Sequence, residues 1–293
     1  MQYNSKIITD ILEEAIMCIS KNSSNLVPDL LNKNHRLIYK LINTPLIKYN
    51  NNTLLMCCLD TLKDCTNKLE QNNLIKVINL IIQDPRLDLN LVNNDENTIF
   101  HIAFNYGIIT DYDLSKNFCN IGENLLNLLK NQDILQTTFE KQNKIGKTFF
   151  NYISSNNVLK SVESAEKQAI IINNCRYITR RITPIIQTIV NFSFKNAIQE
   201  YFKSYLNETL RKNSNHTSSP IMISFIKLYN HSNEPHHQQL SLLEQLALYI
   251  KEHSTIIKNS LKTTSDDIEI IRSIYLMIKK FDGYLNCLDK VRT

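Results

Sequence analysis

Three short segments of the chain follow one plan: "NNTLLMCCLD" from Asn51, "ENTIFHIAFN" from Glu96 and "GKTFFNYISS" from Gly146. Each sets a threonine (Thr53, Thr98, Thr148) ahead of two apolar residues and a stretch with helical spacing. A threonine hydroxyl in that place caps first-turn amides that have no partner inside the helix. What precedes each threonine recurs as well. In "NNLIKVINLIIQDPRLDLNLVNNDENT", Leu74, Val77, Ile78 and Ile81 fall on one helical face. Asp84-Pro85 then ends the helix, because a residue before proline is pushed out of helical geometry. Leu87, Leu89 and Leu91 alternate with polar residues as an outgoing arm, and Asn94-Asp95-Glu96 supply a turn. The order returns at Leu125, Leu128 and Leu129, followed by "NQDILQTTFEKQNKIGKT" with Gly146 in the turn. An earlier copy runs through "HRLIYKLINTPLIKYNNNT", and its first helix spans residues 5–20. A chain that repeats itself this way folds as an array, each unit burying its apolar face on the next.

Composition agrees with an all-α array. Hydrophobic residues make up 43% of 293, enough for a sizeable core. Only 4 glycines leave little room for hairpins or phosphate-cradling loops, and Leu, Ile and Lys suit helices. The wealth of Asn, Ile and Lys looks like the coding bias of an AT-rich genome. Seven cysteines, without a CxxC, read as reduced and mostly buried thiols, which fits a cytoplasmic setting. Acids at Asp10, Glu13 and Glu14 interrupt the first apolar stripe, so it reads as a helix and not a Sec signal peptide. No run reaches the roughly 18 apolar residues of a transmembrane helix.

Charge divides the chain. Residues 1–157 carry 15 basic against 16 acidic side chains, and residues 158–293 carry 18 against 12. We place a boundary there, with repeat-like helices extending to about 180. The second part reads as a helical bundle that covers the end of the array. Thr183-Pro184 is expected to start a helix, with proline in its tolerated first turn. Phe194, Ala197, Ile198 and Tyr201 share a face of a segment ending near Lys212. Residues 221–230 form a short apolar helix, and Ser241 and Glu244 make a capping box. Leu243, Leu246, Ala247 and Ile250 follow at core spacing. A last helix, led by Asp266 and Asp267, aligns Ile271, Ile274, Tyr275 and Ile278.

The threonine-led plan resembles the ankyrin repeat, whose helix begins Thr-Pro-Leu-His after a glycine-containing turn. Thr98, His101 and Ala103 make the middle copy the best match. The family's proline is replaced by Leu54, Ile99 or Phe149, and its histidine by Met56 and Asn151 in the outer copies. The threonines lie 45 and 50 residues apart, against about 33 in ankyrin repeats, so the helices or loops are longer. The resemblance implies that Thr53, Thr98, His101, Ala103, Gly146 and Thr148 are structural repeat positions. It also implies a concave surface for a partner protein. Its turn tips would be Asn50, Asn51, Asn94, Asp95, Glu96, Lys144 and Ile145, and its inner helices would offer Asn105, Tyr106 and Asn156, with Tyr152 as a further aromatic anchor. Ankyrin-containing proteins of this composition resemble effectors of intracellular bacteria, which implies a host-protein partner met in the cytoplasm or after export without a Sec signal.

Chemistry beyond binding has little anchor. No GxxxxGK[ST], GxGxxG or GxSxG occurs, so no cofactor and no catalytic residue is assigned. His231, Glu234, His236 and His237 cluster in a polar loop, but adjacent histidines chelate poorly and no metal is assigned. Cys57-Cys58 reads as buried packing. Arg176, Arg180, Arg181, Lys195, Lys203, Arg211 and Lys212 could give a basic face for an anionic membrane surface. Interleaved Glu200 and Glu208 disfavour nucleic acid. The competing reading is an enzyme whose catalytic site lies in residues 158–293 and whose repeats deliver it to substrate. The sequence leaves the oligomeric state open.

Overall fold

The computed structural model describes residues 5–107, 111–129, 135–153, 164–211, 220–231, 241–259 and 265–292. Among them every regular element is helical, and the β-type pairing seen is an isolated antiparallel bridge, Leu46 to Asn52. The chain is all-α. In order come α1 (Ser5–Ser20), α2 (Val27–Lys33), α3 (Ile38–Asn43), α4 (Leu54–Asp64), α5 (Lys68–Ile82), α6 (Ile99–Tyr106), α7 (Tyr112–Leu129), α8 (Leu135–Glu140) and α9 (Phe149–Ile153). The long α10 (Ala165–Arg211), α11 (Pro220–His231), α12 (Leu242–Asn259) and α13 (Ser265–Arg292) follow. Residue contacts divide the chain into two compact units, Met1–Ile185 with Lys290–Thr293, and Ile186–Asp289. The boundary expected at 157 falls in 154–163, outside the described residues.

In the first unit the helices meet in pairs and the pairs meet in rows. Helix α4 packs on α5 and α6 on α7. Along one row α1 touches α4, α4 touches α6 and α6 touches α9, and along the other α5 touches α7. The sequence periodicity explains the faces. Leu74, Val77, Ile78 and Ile81 of α5 are all buried, and so are Leu125 and Leu129 of α7. On α7, however, Leu126 is buried and Leu128 half-exposed, because α7 turns its 118–121–125 face to α6. Helices α6 and α7 approach closely at Gly122, where an added Cβ would lie 2.7 Å from the Phe104 ring. Ala103 is fully buried on α6, as a small residue in a paired helix should be.

The arm from Leu87 to Leu91 keeps its alternation but not its extended backbone. Leu87 and Leu89 are buried and Leu91 is half-buried, with Asp88 and Asn90 exposed between them. Amides without a neighbouring strand must find other acceptors. Leu87 N donates to Asp84 O, Asn90 N to the Asp88 carboxylate, and Asp88 N to Asn43 Oδ1.

Helix α10 corrects one expectation. Pro184 lies inside it and does not start it. Ile178, Ile182, Ile186, Ile189 and Val190 form a fully buried face that runs past the proline. An interior proline costs about 3 kcal/mol, whereas burying each such side chain contributes about 1.5–3 kcal/mol. Burial wins.

The second unit is held by aromatic contacts between its helices. Phe194 of α10 meets Phe281 of α13 at 5.3 Å between centroids, Phe202 of α10 meets Tyr229 of α11 at 5.8 Å, and Phe225 of α11 meets Tyr249 of α12 at 5.2 Å. Helix α12 begins at the expected capping box: Ser241 N and Oγ both donate to Glu244 Oε2 at 2.8 Å, and Glu244 N returns to Ser241 Oγ at 3.3 Å. On α13 the buried face is Ile270, Ile274, Ile278 and Phe281, which leaves Tyr275 49% exposed, contrary to its expected place on the core face. Among the described residues no helix is long and apolar enough to cross a membrane.

Candidate functional site

The three threonine-led helix starts are fed by three loops of related construction. In the second and third, a buried asparagine closes the turn. Asn93 N donates to Asn97 O at 3.1 Å, and its side-chain oxygen accepts from the amides of Asp95 and Asn97, both at 3.0 Å. Asn143 repeats this with Lys147 O and with the amides of Ile145 and Lys147, at 3.0, 3.2 and 3.0 Å. In the first loop Leu46 stands there instead and pairs through its backbone with Asn52. Each loop passes through a left-handed residue just before its end: Asn51 (φ 56°), Glu96 (φ 58°) and Gly146 (φ 71°).

Glutamate is a poor occupant of that conformation, which costs a side-chain-bearing residue about 1–2 kcal/mol. Glycine relieves the cost but frees the unfolded chain by about 0.5–1 kcal/mol. Glu96→Gly is therefore expected to raise stability by up to about 1 kcal/mol, read as a higher urea midpoint. A lower midpoint would contradict the assignment of Glu96 to the glycine position.

Each helix start is capped by a different pairing of threonine with the third helical residue. Thr53 Oγ1 accepts from Met56 N at 3.4 Å. Thr98 N donates to His101 Nδ1 at 3.1 Å, and Thr148 N donates to Asn151 Oδ1 at 2.7 Å. Because a backbone N–H only donates, His101 Nδ1 is the acceptor and Nε2 carries the proton, which it gives to Lys147 O at 2.9 Å. Burial lowers the His101 pKa from its ordinary 6.5. A group with a lowered pKa binds fewer protons folded than unfolded as pH falls below 6.5. Its contribution is complete above 6.5 and declines as pH drops from 6.5 to the folded value. Asn151 already performs the same cap without titrating. His101→Asn is thus expected to flatten the fall in urea midpoint between pH 6.5 and 5; an unchanged slope would contradict this assignment.

The loops are tied edge to edge. Asn94 N donates to Asn50 O at 2.9 Å, and Lys144 N to Asp95 O at 3.0 Å. Side chains at the tips reinforce the first joint. Asn50 Nδ2 donates to Asp95 Oδ2 at 2.8 Å and Asn51 Nδ2 to Asn94 Oδ1. Deeper in, Asn93 Nδ2 donates to Asn52 Oδ1 at 3.0 Å, and Asn143 Nδ2 to Asn97 Oδ1 at 2.8 Å. These two bonds join the same pair of positions in successive copies. Asn52 Nδ2 and Tyr106 OH then hold Asp60, each donating to one carboxylate oxygen at 2.6 Å.

Between the loops and helices α4 and α6 lies a concave strip with two adjoining hollows. One of about 450 Å³ is bounded by Ile16, Lys48, Tyr49, Cys57 and Thr61, and one of about 150 Å³ by His101, Asn105, Tyr106 and Tyr152; both share Asn50, Asn52 and Asp60. Asp60 is half-buried, and burial is the main cause of its raised pKa, opposed by the bonds from Tyr106 and Asn52 and by the charge of Lys63. Burial likewise raises the Tyr106 phenol. Tyr106 packs edge-on against Phe118, and Lys63 Nζ lies 4.9 Å from its ring centre.

The expected tip residues sit where the loops show themselves. Asn50, Asn94, Asp95, Glu96, Lys144 and Ile145 are exposed and Asn51 is half-exposed. Asn105 is exposed on α6 and Tyr106 half-buried beside it. Asn156 lies outside the described residues, as do Glu234, His236, His237 and Lys212. Asp60, Asn52, Asn93 and Asn97 line the hollows and were not among the expected partner-binding residues, nor was Ile47, 87% exposed in the first loop. A signal existed for the amides, since Asn93 and Asn143 each stand five residues before a threonine and Asn52 and Asn97 immediately before one.

Elsewhere, Cys57 and Cys58 are buried, and burial pushes both thiols up, Cys57 to about 12, away from the thiolate that a nucleophile needs. Of the expected basic face, Arg181 pairs with Glu123 at 2.7 Å and Lys203 with Glu200 at 2.7 Å, and Arg176 and Arg180 are exposed. Among the described residues no group of three His, Cys, Asp or Glu side chains is placed to hold a metal ion. Comparison with protein-family models, curated proteins and solved structures finds no match to this chain.

Proposed function

We propose that the first unit is a degenerate ankyrin-like stack and that it acts as a protein-interaction module, gripping a partner protein with its loop tips and inner strip. One observation carries the reading: loops of the same construction are hydrogen-bonded to one another, Asn50 to Asn94 and Asp95 to Lys144, so their side chains stand on a preformed edge. A preformed surface loses little ordering entropy on binding. A binding role is supported by His101, the imidazole lining the strip, which uses both ring nitrogens inside the scaffold. The ankyrin resemblance supplies the setting, an effector or adaptor whose partner is a host protein.

Affinity capture from host-cell lysate tests this. The intact protein is compared with an Asp95→Ala, Glu96→Gly, Lys144→Ala variant, whose folding is checked by circular dichroism. The expected result is a partner retained by the intact protein and lost by the variant. Equal recovery by both would show that the tips do not grip.

A further inference from the structure

We propose that the smaller hollow of the inner strip is a subsite for an arginine side chain of the bound protein. The inference rests on the interaction-module reading and names the chemistry of what that module grips. Its walls are Asp60, Asp95, Asn50, Asn105, Tyr106 and Tyr152, around about 150 Å³, room for a guanidinium and the last part of its stem. Two features select a cation. Asp60 is a half-buried carboxylate whose hydrogen bonds come from a phenol and an amide, and among the described residues neither it nor Asp95 takes part in an ion pair. Lys63 acts on Asp60 through its charge but forms no ion pair with it. A carboxylate drawn partly out of water without a cation in contact is costly, and one entering beside it offsets that cost.

The second feature is the aromatic wall. Tyr106 and Tyr152 each already attract a lysine of the chain, with Lys63 Nζ 4.9 Å and Lys147 Nζ 5.4 Å from the ring centres. Both rings therefore present faces that draw cations. Lys63 is exposed and Lys147 half-exposed, so both can yield their places.

Arginine fits better than lysine. Its planar guanidinium offers five donors to a wall of carboxylate and amide oxygens, stacks on aromatic faces, and sheds water more readily than a compact ammonium. The Asp60 carboxylate is also fixed by Tyr106 and Asn52, one on each oxygen, and each oxygen keeps a second lone pair that a fork of donors can meet. The larger hollow, continuous through Asn50, Asn52 and Asp60, gives the rest of the partner's chain a path along the strip.

The probes are the blocked amino acids Nα-acetyl-arginine N-methylamide, its lysine counterpart and its citrulline counterpart, titrated into the full chain and followed by the amide resonances of Asn105, Tyr106 and Tyr152. Saturable shifts with the arginine probe are expected, about tenfold weaker with lysine and absent with citrulline, which keeps the shape and loses the charge. Asp60→Asn is nearly isosteric, keeps an acceptor for Asn52 Nδ2 and can donate to the Tyr106 hydroxyl oxygen, and is expected to weaken arginine binding at least about tenfold. Equal binding of citrulline, no saturation, or an unaffected Asp60→Asn variant would overturn the subsite. If the probes fail while the tip variant still loses its captured partner, the arginine subsite falls and the interaction module stands. If the arginine probe binds as expected but capture does not depend on the tips, the subsite stands and the grip at the tips falls.

Discussion

Phe149→Ala is expected to lower the stability of the first unit by about 3–5 kcal/mol, the range for removing a fully buried phenylalanine. Phe149 is wholly buried and touches four other rings: Phe100 at 5.6 Å, Phe104 at 5.4 Å, Phe139 at 5.6 Å and Phe150 at 4.2 Å. It stands at the first position of α9, where the ankyrin pattern has proline. Its ring joins α6, α8 and α9, so truncation leaves a cavity lined from three elements that cannot all collapse into it. Phe149→Leu keeps most of the volume and should cost about 1.5 kcal/mol or less. Urea denaturation followed by far-ultraviolet circular dichroism checks both. A loss below about 1 kcal/mol for Phe149→Ala would mean that the site relaxes freely and does not anchor α9.

Asn143→Ala is expected to cost about 2–4 kcal/mol, through polarity and not volume. The side chain is 6% exposed and makes four hydrogen bonds. Its oxygen holds the amides of Ile145 and Lys147, closing its own loop. Its nitrogen reaches Asn97 Oδ1 and Tyr152 OH, tying that loop to the one before and to α9. Alanine leaves these partners without a mate in a place water reaches poorly, and each such group costs about 1–3 kcal/mol. Asn94→Ala is the control, since Asn94 is exposed and solvent replaces its side-chain bond; its effect should stay near 0.5 kcal/mol or less. Asn143→Asp separates the two roles. It keeps the loop-closing acceptor but cannot donate to Asn97, so a loss close to that of alanine would place the main contribution in the link between loops. A loss for Asn143→Ala no larger than for Asn94→Ala would contradict the role given to the buried amides.

Much of the helical pattern was legible because it depends on local chemistry. Thr53, Thr98 and Thr148 head helices as their spacing requires, although the Thr53 hydroxyl accepts from Met56 N while Thr98 and Thr148 donate their own amides to His101 and Asn151. Leu74 to Ile81 bury one face, and Ser241 with Glu244 closes a capping box. At Pro184 the expectation fails because tertiary burial outweighs a local rule, and at Tyr275 because spacing alone does not force a side chain with a polar end into the core. The missing N–H of Pro184 favours the first turn of a helix, yet the buried isoleucines on either side carry the helix through it. Spacing alone puts Tyr275 on the core face, though a phenol is as well satisfied in water, where it stands. The strip was the hardest part to see. Asn52, Asn93, Asn97 and Asn143 are scattered in an asparagine-rich sequence, and their bonds to one another span 41 and 46 residues. Only the fixed offset of each from its threonine marks them out, and composition conceals that offset.

The loops at residues 46–53, 93–98 and 143–148 are joined backbone to backbone. Amide hydrogen exchange at Asn94 and Lys144 tests this most directly. Both residues are exposed at loop tips, where an unbonded amide exchanges at nearly the rate of a free peptide. Because Asn94 N donates to Asn50 O and Lys144 N to Asp95 O, their exchange should be slowed to the level of the adjoining helix starts and should speed up together in Asn143→Ala. Free-peptide rates at either amide in the intact protein would contradict the claim.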